Sequence, residues 1–352
     1  MTSVNPLAEI VDIVIGVDTH EKFHVAAAVA ANTTGVIDTI TINADEAGYT
    51  ELVTWADQIT QRRAWAIEGT NSHGAGLTRF LNQELVFEVD RPKRPKRRHG
   101  AKSDHIDAVR AAREALGRPH NAIPRATTGP RAMLQALMTT RRMTINQASD
   151  TERQLRSMII TAPDTLKARF DGLTKTTQKA KLAAQLTLTT KDPLEVLLAQ
   201  LLRDLAQRAN LLRAQAKDLE KQILALVKQW RPDLLDLMGV GPIVAAQLLI
   251  TWSHPGRVRT EAAFAMMAGT APIPASSGIH QTRHRLNNSG DRRLNSALHT
   301  IVLSRQRHDP ATKAYIETHT KQGKSPREIR RCLKRYISRS IYRILEKGLD
   351  KT

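Results

Sequence analysis

The sequence holds a single cysteine, Cys332, which excludes an internal disulfide framework and any zinc site built on cysteine. Aromatic residues make up only 4% of the chain, leaving few platforms on which unpaired bases could stack. No stretch approaches the roughly 18 consecutive apolar residues of a membrane span. The opening MTSVNPLAEIVD has no basic segment followed by an apolar signal core. These absences predict a protein of the reducing cytoplasm, associated with the nucleoid rather than with a membrane. Negative charge is also in deficit. Against 34 Asp and Glu stand 53 Lys and Arg, a formal +19 that repels itself unless a polyanion neutralises it. From Arg283 to Thr352 alone there are 18 basic and 6 acidic residues, so the C-terminal fifth is expected to touch phosphate. Nucleic acid is therefore a better partner than a merely solubilising surface would require.

At 352 residues the chain exceeds one ordinary core, and three regions are expected: 1–125, 126–230 and 231–352. Val11 to Asp18 (VDIVIGVD), Phe23 to Ala31 and Gly35 to Ile42 read as strands. A helix over Asp45 to Thr60, a strand at Ala64 to Glu68, a helix near Leu77 to Leu85 and a strand at Val86 to Val89 follow. The order βββαβαβα predicts an α/β unit, a mixed sheet covered by helices in the ribonuclease H-like (RuvC-like) order. After it comes a basic linker, RPKRPKRR, whose Lys93, Arg94, Lys96, Arg97 and Arg98, with Lys102, are candidate nucleic-acid contacts. A helix then opens at Ser103 and runs to about Leu116, where Gly117 and Pro119 stop it.

The remainder reads as all-α. Leu198, Leu202, Leu205, Ala209, Leu212, Ala216, Leu219, Ile223 and Leu226 step by four and three, the spacing of a coiled-coil seam. That seam serves either assembly between copies or a partner helix in the same chain, around Met133 to Ile159, with Lys175 to Lys181 as the turn between them. From Leu234, the segment LLDLMGVGPIVAAQLLI reads as a helix-hairpin-helix. Gly239 and Gly241 turn the backbone, and Pro242 suits a helix start. Exposed amides there would hold phosphate without reading sequence; an ordinary helical corner is the alternative.

Four acids could carry chemistry. Asp18 ends the first strand in IGVDTH, Glu68 the fourth in AIEGT, and Asp104 and Asp107 lie three apart in KSDHIDA, on one face of a helical turn. Singly, each has a structural explanation, as a turn residue or as charge at a helix start. Together they form the oxygen-rich set that hard cations choose for phosphodiester chemistry. A second constellation, GTAPIPASSG, presents Ser276 and Ser277 ahead of Arg283, His284, Arg285, Arg292 and Arg293. Spacing alone leaves this serine open between passive phosphate contact and nucleophile.

IGVDTHEK, IEGT, KSDHIDA, LLDLMGVGPIVAAQLL, GTAPIPASSG and RLNNSGDRRLNSAL, in this order, resemble the DEDD transposases of bacterial insertion sequences of the 110 group. The resemblance runs over nearly the whole chain. It implies that Asp18, Glu68, Asp104 and Asp107 hold divalent cations, two Mg2+ or Mn2+ ions, and that Ser277 is the nucleophile, with Ser276 the fallback. It also implies phosphoserine intermediates, a bridge non-coding RNA that pairs with donor and target double-stranded DNA, and a homodimer or homotetramer joined through the coiled coil. The chain departs from the pattern at Met238, Thr270, Asp291 and Asn295; an Asp at 291 puts negative charge where phosphate would approach. Two rival functions remain, a Holliday-junction resolvase using metal-activated water and a nucleic-acid-binding protein without catalysis.

Overall fold

The computed structural model describes residues 6–89, 104–187, 191–274, 284–285, 287 and 289–347. It divides into two compact units, residues 1–131 with 251–260, and 132–250 with 261–352. In the first, α1 (Pro6–Ile10), β1 (Ile13–Thr19), β2 (Phe23–Ala30), β3 (Val36–Asn43), α2 (Glu46–Ile59), β4 (Arg63–Glu68), α3 (Ala75–Phe80), β5 (Val86–Val89) and α4 (Asp104–Gly117) follow one another. The sheet order is β3-β2-β1-β4-β5, antiparallel from β1 to β3 and parallel from β1 through β4 to β5. This is the mixed sheet the element order predicted.

Both faces of β1 are covered. Ile13, Ile15 and Val17 pack with Leu52, Ala56 and Leu77 from α2 and α3, while Val14 packs with Ala111, Ala112 and Ala115 of α4. Two-sided burial explains why β1 reads as an unbroken apolar run rather than an alternating one. The α4 face is nearly all alanine, and it comes very close. A Cβ built on Gly16 would lie 2.0 Å from the Ala108 carbonyl oxygen and 2.6 Å from the Ala112 nitrogen. Only glycine leaves room for this helix to cross this strand.

In the second unit, α5 (Gly129–Thr161), which begins at the end of the first, is followed by α6 (Asp164–Lys167), α7 (Thr176–Ala184) and α8 (Pro193–Trp230). Arg141 reaches Glu220 at 2.8 Å, and Arg213 holds Glu152 through two 2.8 Å hydrogen bonds. The pairing runs up α5 as it runs down α8, so the two helices form an antiparallel hairpin. The seam positions Leu202, Ala209, Ala216 and Ile223 are buried, and Leu198, Leu205, Leu212, Leu219 and Leu226 are half-buried. Lys175 to Lys181, expected as a turn, instead belongs to α7: Ala180 and Ala183 bury against Leu155, Phe170 and Leu202. That burial outweighs the polar composition.

After α8, Arg231 is buried, clamping Asp233 and donating to the Ile344 and Leu345 carbonyls at 2.7 and 3.0 Å. The segment expected as the first helix of a hairpin is a 3-10 turn at Pro232–Leu234 followed by turns up to Gly239. Six residues between Pro232 and Gly239, the latter at φ +85°, are too few to complete a helix. Then follow α9 (Pro242–Trp252), α10 (Glu261–Met267), the short strands β6 (Ile273–Pro274) and β7 (His284–Arg285), α11 (Arg292–His308), α12 (Pro310–Lys321) and α13 (Pro326–Glu346). Ile329, Leu333, Ile337, Ile341 and Leu345 bury one stripe of α13, while Arg327, Arg331, Arg339 and Arg343 are exposed. Among the described residues no helix is long and apolar enough to cross a membrane.

Candidate functional site

Parallel pairing of Val17 with Ile67 sets the last residues of β1 and β4 side by side, which brings Asp18 beside Glu68. Thr19 strengthens this edge by donating to the Glu68 carbonyl at 2.9 Å. The Gly16 crossing then fixes the start of α4, with Asp104 and Asp107 in its first turn. Three elements therefore converge on one edge. Asp18 is 8% exposed, and burial pushes its carboxyl above the usual range. His20 opposes this, whereas Glu68, Asp104 and Asp107 each add to it, so all four acids lie within electrostatic reach.

The structure also brings in a residue the sequence reading missed. His20 Nε2 stands 3.3 Å from an Asp18 oxygen and 3.6 Å from an Asp104 oxygen, with its ring stacked on Phe23. One atom each of Asp18, His20 and Asp104 lie within 4.8 Å of one another. Glu68 and Asp107 stand outside that tight group, and Asp107 accepts a 2.8 Å hydrogen bond from Arg110. The spacing Asp-x-His in IGVDTHEK was the available signal; the turn between β1 and β2 gives it meaning by folding His20 back. His20 Nε2 is shielded from solvent and makes no well-formed hydrogen bond. A divalent cation fits this donor set, since carboxylate oxygens suit hard cations such as Mg2+ and Mn2+. The loop that leaves Glu68 is anchored too, because buried Arg131 donates to Asn71 at 3.0 Å.

The basic linker (Lys93, Arg94, Lys96, Arg97, Arg98, Lys102), Ser276, Ser277 and Arg283 lie outside the described residues. The ends of the serine loop are within them. Ile273 pairs with Arg285 and Pro274 with His284, a two-stranded ribbon with the serines in the connection. Its root is locked. Gly290 has φ +102°, and a Cβ there would meet the Met267 oxygen at 2.6 Å and the Gly269 nitrogen at 2.9 Å. Two of the four departures from the resembled pattern do their work here. Asp291 caps α11, accepting from the Arg293 and Leu294 amides at 2.8 and 3.1 Å. Asn295 donates to the Ala268 carbonyl at 2.7 Å and accepts from Lys334 at 3.0 Å. Arg292 and Arg293 are exposed in the first turn of α11. Gly239 packs on α11, while the space around Gly241 is open, in a groove of about 610 Å³ shared with Thr300 and Ser304.

Comparison with known proteins addresses both units. Residues 15–162 match the DEDD family model described as Transposase, and residues 232–317 match the model described as Transposase IS116/IS110/IS902 family. A relative from Streptomyces coelicolor, the Insertion element IS110 uncharacterized 43.6 kDa protein, is 32% identical over 123 residues, 34% of this chain. The chain spans 30% of that relative's length. The two family matches together take in about two thirds of the sequence, and they include all four acids and the serine loop. On these matches, the chain is similar to DEDD transposases over residues 15–162 and to transposases of the IS116/IS110/IS902 family over residues 232–317.

Proposed function

We propose that this protein cuts and rejoins DNA to move an insertion element, using divalent cations held by Asp18, Glu68, Asp104 and Asp107 and a serine nucleophile, Ser277. The observation that carries the reading is the convergence of four carboxylates from β1, β4 and α4 on buried Asp18. So much negative charge at one sheet edge is costly without cations. The sheet order β3-β2-β1-β4-β5 supports a RuvC-like assignment for the first unit. The helical hairpin and basic C-terminal region would complete three functional regions.

Two Mg2+ or Mn2+ ions would polarise the scissile phosphate and neutralise its developing charge. The residues do the rest. Asp18 and Asp104 would hold the ions with His20 beside them, and Glu68 and Asp107 would complete the oxygen set. Ser277 Oγ bonds phosphorus as a deoxyribose oxygen leaves; attack by a second strand's sugar hydroxyl reverses the step, rejoins the DNA and returns the proton to serine. Arg292, Arg293 and the basic linker suit phosphate contacts, and the Gly239–Gly241 groove suits a backbone contact free of sequence. A charge of +19 and a small aromatic content support sequence choice by a structured bridge RNA rather than by the protein. Leu194, Leu197 and Leu201, which α8 leaves exposed beside the intrachain seam, support a dimer or tetramer contact along that helix.

The test compares Ser277→Ala and Asp18→Ala on a plasmid carrying the element and its flanks. Both variants should fail to recombine, and only the wild type should trap a covalent protein–DNA adduct. Full recombination by Ser277→Ala with a dead Asp18→Ala would transfer the chemistry to a water-using resolvase. Normal activity of both would leave only nucleic-acid binding.

A further inference from the structure

A pocket of about 230 Å³ opens beside the root of the β6–β7 ribbon. Ala271 and Pro272 form one wall, and Cys332 and Tyr336 of α13 the other. Arg331, Lys334 and Arg335 stand around it. Its volume falls below the roughly 300–1,000 Å³ of sites for drug-sized ligands, which limits the occupant to about one ring system. Tyr336 is 52% exposed in a chain with few aromatic residues, and Tyr315 fixes its plane by an edge contact at 5.8 Å. The opposite wall is also rigid, because Asn295 ties Ala268 to Lys334 and the Gly269–Gly290 contact locks the loop. Charge around the pocket is one-sided. Helix α13 carries seven Lys and Arg against two Glu. Arg335 is paired with Glu261, while Arg331 is exposed to solvent. A largely apolar pocket with an aromatic wall and a cationic rim has the chemistry of a nucleotide site, where the base stacks and its phosphate meets the cations.

We infer that this pocket receives one unpaired nucleotide of the DNA strand presented to the serine ribbon. The inference rests on the reading of the chain as a DNA-cutting enzyme and deepens it. Pro272 precedes Ser277 by five residues, so a base seated here anchors the strand next to the cutting loop. Removing that base from its stack makes the neighbouring phosphate accessible, at the cost that base-extruding enzymes bear.

The single cysteine makes the pocket directly measurable. Alkylation of Cys332 by iodoacetamide is timed in the full-length protein, alone and with saturating 12-mer oligothymidylate, and binding is followed by anisotropy in the same samples. A 12-mer of abasic deoxyribose phosphates supplies the backbone without bases, and a 12-mer oligouridylate supplies ribose. Brisk alkylation of the free protein, slowed about fivefold or more by oligothymidylate and little by the abasic strand, is the expected result. Tyr336→Ala should weaken oligothymidylate binding on the order of tenfold and leave abasic binding unchanged. Equal protection by the abasic strand would mean that phosphate covers the pocket without a base entering it, and would overturn the inference. An unreactive Cys332 in the free protein, or preferential protection by the ribose strand, would overturn it as well. If DNA binds and Cys332 stays unprotected, the pocket fails while the enzyme reading stands; if no DNA binds, both fail.

Discussion

Substituting Gly16 by alanine tests how the acidic edge is built. The added Cβ would sit 2.0 Å from the Ala108 carbonyl oxygen, whereas ordinary contact begins near 3.4 Å, so α4 must retreat by about 1.4 Å. Asp104 and Asp107 ride on the first turn of that helix. Bonds from carboxylate oxygen to a divalent cation are roughly 2.0–2.6 Å long, so such a retreat removes ligands rather than stretching them. Mn2+ affinity, measured by isothermal titration, should fall about 10- to 100-fold. Strand cleavage should fall on the order of 100-fold. Overpacking should cost about 1–3 kcal/mol and lower the melting temperature by roughly 3–12 °C. Because the clash is with α4 backbone, Gly16→Ala/Ala108→Gly should be no better than Gly16→Ala. Wild-type Mn2+ affinity within threefold, with an unchanged melting temperature, would refute the account.

Three further outcomes follow from single side chains. Asp18 has a folded pKa above its unfolded value, so its ionisation lowers stability as pH rises through that folded value. Asp18→Asn should therefore melt higher than the wild type at pH 7.5 in chelator, with the gain shrinking toward pH 4; a lower-melting variant would contradict this. His24 is fully buried, and burial depresses its pKa from 6.5, so stability should decline as pH falls through about 6.5 and unfolding favours protonation. His24→Gln should flatten that slope in melts from pH 5 to 8, and an unaltered slope would exclude His24 as its source. Asn295→Ala should cost about 1–3 kcal/mol in urea unfolding by leaving the Ala268 carbonyl and Lys334 without their partner; a change under about 0.5 kcal/mol would rule out the clamp.

The sheet was legible because β1 and β4 are buried on both faces, which writes their positions as apolar runs ending at Asp18 and Glu68. The approach of α4 was not, because one glycine and four alanines mark close packing only after strand and helix are known to cross. His20 was invisible for a similar reason: its position depends on the reversal between β1 and β2. Heptad spacing identified the apolar stripe of α8 but not what it faces, and Arg141–Glu220 with Arg213–Glu152 now supply an intrachain partner. Asp291 read as misplaced negative charge because a helix cap is defined by where the helix begins, and α11 begins at Arg292. The segment before Gly239 is too short to complete its expected helix, whereas the expected turn near Lys175 became the helix Thr176–Ala184 because Ala180 and Ala183 are buried.

The locked root of the β6–β7 ribbon has a consequence for how its connection can change. With Ile273–Arg285 paired and Gly269 against Gly290, the two ends of the connection are held together whatever lies between them. Lengthening it then costs mainly loop-closure entropy, about 0.6 kcal/mol for each doubling of length. The segment that carries the serines is thus free to accept residues added or exchanged without loss of the fold. A peptide tag placed there would disturb chemistry well before it disturbed folding.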